Sequence, residues 1–222
     1  MPETSWDLAL CEFAEQNLYT AVVSDSLDQL GIRHQAMREY LRPVHPKCKF
    51  SGWARTMACS DIYHIPEDPY SIEIEAVDSL LPGEAAVVGT QSSLRNAPWG
   101  ELLSTAAKTR GARGAVVDGL VRDTRKIAEL GFPVFASGIK PVDSMGRGIV
   151  TAYNVPVESG GVIVYPGDFV FADEDGIVVI PKANVKEVIE LATDKVRRED
   201  GSRAELMNGA YLRDVFKKFG VL

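Results

Sequence analysis

Between residues 85 and 136 the periodicity of apolar residues switches repeatedly between that of a strand and that of a helix, and this alternation restricts the chain to few architectures. Ala85 to Gly89 reads as a short buried strand. Glu101 to Arg110 sets Leu102, Leu103, Ala106 and Ala107 at helical spacing, and Ala115 to Asp118 returns to a strand. Thr124 to Leu130 gives a short helix closed by Gly131, and Pro133 to Ala136 a third strand. Strand, helix, strand, helix, strand at these intervals predicts crossover units around a partly parallel sheet. Functional groups in such sheets gather at the carboxyl ends of strands, where Asp118, Arg122 and Asp123 fall.

The flanks are less regular. Leu8, Leu10, Phe13 and Ala14 predict a first helix, and Leu27 and Leu30 a second that ends at Gly31. From Val44 to Pro66 the text is extended, with a strand or two. After Gly138 come short β runs at Val155–Val157, Gly161–Val164, Phe169–Phe171 and Ile177–Ile180, with Asp173-Glu174-Asp175-Gly176 as an acidic turn. They predict an antiparallel layer or small barrel. Lys182 to Phe219 is charged and helical, with breaks expected near Gly201 and Gly209. The expected organisation is an α/β domain over residues 1–181 and a helical tail over 182–222, packed on its own or a neighbouring subunit.

Composition removes several function classes. A chain of 222 residues, 45% hydrophobic, can bury a full core. A formal charge of -7 with dispersed Lys and Arg leaves no footprint for nucleic acid. Cys11, Cys48 and Cys59 lie far apart, which fits reduced thiols rather than a zinc knuckle. His34, His45 and His64 are equally scattered and lack HxxxH spacing. The opening MPETSWDLALCEF has acids where a secretion signal needs a basic flank, and no apolar run approaches the ~20 residues that span a bilayer. A cytoplasmic protein without membrane partners is expected.

Two local features point to chemistry. Pro98 and Gly100 precede the helix that begins at Glu101, and the free N–H groups of such a start suit a carboxylate. Alone, this is an ordinary strand-to-helix turn. Arg122-Asp123 opens the next helix, where Asp is often only an N-cap and Arg only its ion partner. Because both features follow successive strands, they should meet over one crevice. A 2-oxo acid needs that set: an Arg fork, backbone N–H groups and a carboxylate-held divalent ion.

Residues 98–136 (PWGELLSTAAKTRGARGAVVDGLVRDTRKIAELGFPVFA), with ESGGVIVYPGDFVFADEDGIVVIPK from Glu158 to Lys182, resemble the family that joins 4-hydroxy-4-methyl-2-oxoglutarate aldolases to regulators of ribonuclease E activity. The likeness begins near Ser24, in VSDSLDQLG. It implies an α/β fold of the α-β-β-α sandwich type, assembled as a homotrimer or homohexamer with sites at subunit contacts. It also implies a pyruvate carboxylate on the loop of Gly100, Glu101, Leu102 and Leu103, and Mg²⁺ or Mn²⁺ on Asp123 and Glu101. Arg122 would then face the keto oxygen. The implied reaction is retro-aldol cleavage of a 4-hydroxy-2-oxo acid to pyruvate, with oxaloacetate decarboxylation as a second use of the same electron sink. A hydroxide on the metal is the favoured base, although no residue identifies it.

The resemblance extends to Glu199, just before SRAEL, as an acid offered to an adjacent subunit; taken alone it is a surface helix charge. One position departs from the aldolase pattern. Lys126 stands where the family has an acid, and it either turns to solvent, helps hold an anionic substrate, or marks a changed metal dependence or reaction. The alternative function is a non-catalytic regulator that binds ribonuclease E. The tail after Lys182 favours the enzyme, and no Gly-rich methyl-donor loop supports a methyltransferase.

Overall fold

The computed structural model describes residues 6–221. Helices α1 (Leu8–Asn17) and α2 (Thr20–Gln29) precede a two-residue strand β1 (Arg42–Pro43) and a 12-residue strand β2 (Phe50–Asp61). The alternating segment follows as α3 (Ser71–Asp78), β3 (Glu84–Gly89), α4 (Glu101–Thr109), β4 (Gly114–Val121), α5 (Thr124–Leu130) and β5 (Val134–Ile139). Strands β6 (Gly148–Tyr153), β7 (Val157–Ser159), β8 (Val162–Val164), β9 (Phe169–Asp173) and β10 (Gly176–Ile180) come next, then α6 (Val185–Met207) and α7 (Leu212–Phe219). Among the described residues no helix is long and apolar enough to cross a membrane.

The predicted crossover units are present: β2, β3, β4 and β5 run parallel as neighbours. The full sheet has eight strands in the order β1-β5-β4-β3-β2-β9-β10, with β6 also on β2. This is possible because β2 is long enough to serve several partners. One side of it pairs with β3, while the other takes β9 at Phe50–Trp53 and β6 at Met57–Asp61. The guanidinium of Arg42, in β1, donates to the Asp175 carbonyl in the β9–β10 turn at 3.1 Å, so the outer strands approach each other and the sheet is nearly closed.

Both faces are covered, and side chains alternate between them as the strand period demands. Ala86, Val88, Ala115 and Val117 face helices α3, α4 and α5 through Ala76, Val77, Ala107 and Ile127. Their neighbours Ala85, Val87, Val116 and Phe135 face the β7–β8 ribbon through Val157, Val162 and Val164. At the β9–β10 end, Phe169, Phe171, Val178 and Ile180 pack on α1, α2 and α6. A buried ion pair ties β2 to β3: Arg55 donates to Glu84 from Nε at 3.1 Å and Nη2 at 3.0 Å, while Trp6 and the Leu81 N–H also donate to Glu84.

The structure corrects two expectations. The β runs after Gly138 do not form one separate layer or barrel; only β7 and β8 stand apart, while β6 and β9 join the main sheet on β2 and β10 follows on β9. Short local patterns cannot reveal that a distant strand offers a free edge. Gly201 does not break the tail either, because α6 passes through it unbroken. A Cβ there would stand 2.7 Å from the Phe219 ring, so this glycine lets α7 lie close against α6. The expected break near Gly209 is present, just after α6 ends at Met207.

Candidate active site

An isolated parallel bridge between Trp99 and Val121 lays the loop before α4 beside the end of β4. The Arg122 N–H donates to the Trp99 carbonyl at 3.0 Å, and the Glu101 N–H approaches Asp123 Oδ2 at 3.5 Å. The two features read from the sequence therefore meet, over a cavity of about 320 Å³. It is lined by Gly100, Glu101, Leu102, Leu103, Arg122 and Asp123, and also by Tyr70, Glu73, Asp143 and Ser144. Leu103 packs partly into the core while Leu102 is 77% exposed, and the first-turn N–H groups of both lie ahead of the intrahelical ladder that starts at Ser104.

Gly100 is required by close approach. A Cβ there would sit 2.9 Å from Asp123 Oδ2, 3.1 Å from Arg122 Cγ and 3.3 Å from Arg122 Nε. Asp123 occupies the left-handed region at φ 59° and ψ 28°, and its side chain makes no capping bond to α5. The N-cap explanation therefore fails, and the left-handed backbone directs the carboxylate across to α4 instead.

Arg122 is held from one side. Its Nη2 lies 3.0 Å from Asp143 Oδ1, and Asp143 in turn accepts from the Tyr70 hydroxyl at 2.5 Å and the Met145 N–H at 3.2 Å. Burial raises the Asp143 pKa, but the bonds from Tyr70 and the 144–145 backbone, with the Arg122 charge, outweigh it and hold the group below its ordinary value. Arg122 Nε is shielded from solvent and has no hydrogen-bond partner among the described residues, Asp123 Oδ2 lying 3.9 Å away. An orphaned donor of this kind beside two carboxylates fits a site built for an anionic ligand. Burial lifts the Glu73 carboxyl to about 7, the Asp143 charge adding to the rise and Arg122 opposing it.

The donor chemistry also suits a divalent cation. Asp123 and Glu101 bring hard oxygens to the cavity, and Mg²⁺ or Mn²⁺ needs only one or two carboxylates beside water and substrate. Among the described residues no three His, Cys, Asp or Glu side chains form a closed metal cage.

Three residues singled out from the sequence lie elsewhere. Asp118 is buried on the opposite face, where it accepts from the Tyr40 hydroxyl at 2.8 Å and the Gly160 N–H at 3.2 Å, and it lines a separate cavity of about 470 Å³. Strand alternation explains this, since Asp118 shares the side of Val116 and not that of Val117. Lys126 is exposed, lies outside the cavity lining and forms no ion pair with a described residue. Glu199 lies on α6, hydrogen-bonded by Tyr19 and 3.9 Å from Lys195, away from the cavity of its own chain. Conversely, Tyr70, Glu73 and Asp143 line the cavity from segments in which the sequence pattern singles out no functional residue.

The chain is similar to several known proteins. A "Putative 4-hydroxy-4-methyl-2-oxoglutarate aldolase" of Halalkalibacterium halodurans is 32% identical over 79% of this chain and 79% of its own length. An uncharacterized protein of Methanocaldococcus jannaschii is 42% identical over 59% of this chain, and the match spans 62% of that protein. Among solved structures, Streptomyces coelicolor RraAS2, described as an unusual member of the RNase ES inhibitor RraA protein family, superposes with a TM-score of 0.80 at 32% identity. It covers 91% of this chain and 99% of its own, so the likeness reaches into the helical tail, and the tail alone does not separate aldolases from inhibitors. Residues 20–179 match the RraA-like family, described as Aldolase/RraA, and the chain belongs to that family.

Proposed function

We propose that this protein is a divalent-metal-dependent lyase that cleaves a 4-hydroxy-2-oxo acid, such as 4-hydroxy-4-methyl-2-oxoglutarate, into pyruvate and a second carbonyl compound, and that it also decarboxylates oxaloacetate. The observation that carries this reading is the meeting of Arg122, Asp123 and the first turn of α4 on one cavity. The aldolase names of relatives support it.

Asp123 and Glu101 would hold the ion. When bound, it supplies Lewis acidity toward the keto oxygen. The N–H groups of Leu102 and Leu103, at the positive end of α4, receive the carboxylate of the pyruvyl part. Arg122 places its guanidinium where enolate charge grows, with Nε free to donate and Nη2 fixed by Asp143. Loss of such a donor costs about 10² to 10³ in rate, and Arg122→Ala is expected to fall that far. We also propose a homotrimer or homohexamer, in which a neighbouring copy covers the exposed Ile74 and Leu102 at the cavity rim.

The test is pyruvate release coupled to lactate dehydrogenase, with 4-hydroxy-4-methyl-2-oxoglutarate or oxaloacetate, on EDTA-treated protein before and after Mg²⁺ or Mn²⁺ is added. Metal-dependent pyruvate release is expected. No pyruvate from either substrate with either metal would refute the reading, and binding of ribonuclease E by the same preparation would favour the regulator alternative.

A further inference from the structure

Four carboxylates line the cavity: Glu73, Glu101, Asp123 and Asp143. Three are engaged. Glu101 accepts from Thr105 Oγ1 at 2.9 Å, Asp123 lies 3.9 Å from Arg122 Nε and 3.5 Å from the Glu101 N–H, and Asp143 binds Arg122, Tyr70 and the Met145 N–H. Glu73 differs, because its carboxylate takes no hydrogen bond or ion pair from any described residue although α3 sets it half-buried in the cavity wall. It comes from an element apart from those of Asp123 and Glu101 and bonds to neither.

Cleavage of a 4-hydroxy-2-oxo acid needs one group that can take up a proton and give it back beside the reacting carbons. Asp143 is unsuited, being fixed as an anion by Arg122 and Tyr70. Asp123 and Glu101 are committed as anions to the ion they would hold. Glu73 is left, with Arg122, Asp143 and Tyr70 facing it from the 122–123 and 143–145 loops and its own helix start, and with Glu101 and Asp123 across the cavity.

We propose that Glu73, in place of the hydroxide expected from the sequence, is the acid–base residue of this lyase, an inference that rests on the function proposed above. Its carboxylate removes the proton of the C4 hydroxyl. The C4–O bond becomes a carbonyl as the C3–C4 bond breaks, and that electron pair passes into the enolate of the pyruvyl fragment. Glu73, now a carboxylic acid, returns the proton to C3, which becomes the methyl group of pyruvate, and is itself restored as a carboxylate. A carboxyl that titrates near neutrality is suited to both transfers.

The experiment compares wild type, Glu73→Gln and Glu73→Asp with Mg²⁺ and 4-hydroxy-4-methyl-2-oxoglutarate from about pH 5 to about pH 9. It also follows deuterium uptake into the methyl group of pyruvate in D₂O by NMR. Glu73→Gln is expected to lose about 10² to 10⁴ in kcat with KM changed less than about threefold, to lose methyl exchange, and to lose the near-neutral limb of the kcat/KM profile. Glu73→Asp is expected to recover part of each. Wild-type kcat and methyl exchange in Glu73→Gln would overturn the assignment and leave the lyase standing, whereas a wild type that neither releases pyruvate nor exchanges its methyl protons would overturn both.

Discussion

Gly100→Ala separates the positioning of the site from the stability of the fold. The new Cβ would meet Asp123 Oδ2 at 2.9 Å while also touching Arg122 at 3.1 and 3.3 Å. Relief requires the Asp123 carboxylate and the Arg122 side chain to retreat by roughly half an ångström, and misplacement on the order of 1 Å costs about 10² in rate. A fall in kcat/KM of about 10 to 10² is expected, or about 1.4 to 2.7 kcal/mol of transition-state stabilisation. The backbone at Gly100, with φ -151° and ψ -165°, is open to alanine. The loss of freedom in the unfolded chain then adds about 0.4 to 1 kcal/mol to stability, offset by the contact. Pyruvate release and thermal unfolding of one preparation measure both quantities. Full activity in a folded Gly100→Ala protein would show that Arg122 and Asp123 work without their observed placement, and the reasoning would fail.

Three further outcomes are expected. Because the folded state lifts Glu73 from 4.5 to about 7, it favours the neutral carboxyl, so this group's contribution to stability is full below about pH 4.5 and is lost as pH rises through about 7. The loss is at most about 3 to 4 kcal/mol, less with cavity water present, and urea unfolding of Glu73→Gln should show a flatter pH dependence over that window than wild type. Glu84→Ala strands the buried guanidinium of Arg55 and should cost about 3 to 5 kcal/mol by denaturant midpoint; a change below about 1 kcal/mol would contradict the buried pair. Lys126→Ala, on an exposed side chain outside the cavity, should shift stability by less than about 0.5 kcal/mol and kcat/KM by less than about threefold, so a large loss would place that ammonium on the substrate.

The parts of the site legible in the sequence are those carried by local pattern. Arg122-Asp123 and the Gly100 loop each follow a strand of the parallel series, and sheet order makes their meeting a topological consequence. The left-handed turn at Asp123 was hidden, because Asp before a helix reads as a cap until the backbone angles are known. Glu73, Tyr70 and Asp143 were hidden for another reason: they reach the cavity from segments about 50 residues before and 20 residues after Arg122. No spacing rule links them. The same limit concealed the partners of β9 and β10, whose short patterns specify a strand and not its neighbour, while β6 is not read as a strand at all.

The long strand β2 sets the order in which this molecule can be assembled on the ribosome. Its residues Phe50–Asp61 emerge well before β6 and β9, so one side of the strand stays open until the chain beyond residue 148 and residue 169 follows. Over that interval the unpaired N–H and C=O groups of a strand that ends up mostly buried are left bare, a template for pairing with the wrong chain. Closing loops of this span before any reward slows folding. The central strand that gives the finished sheet its breadth is therefore also the point at which the nascent chain is most exposed to aggregation.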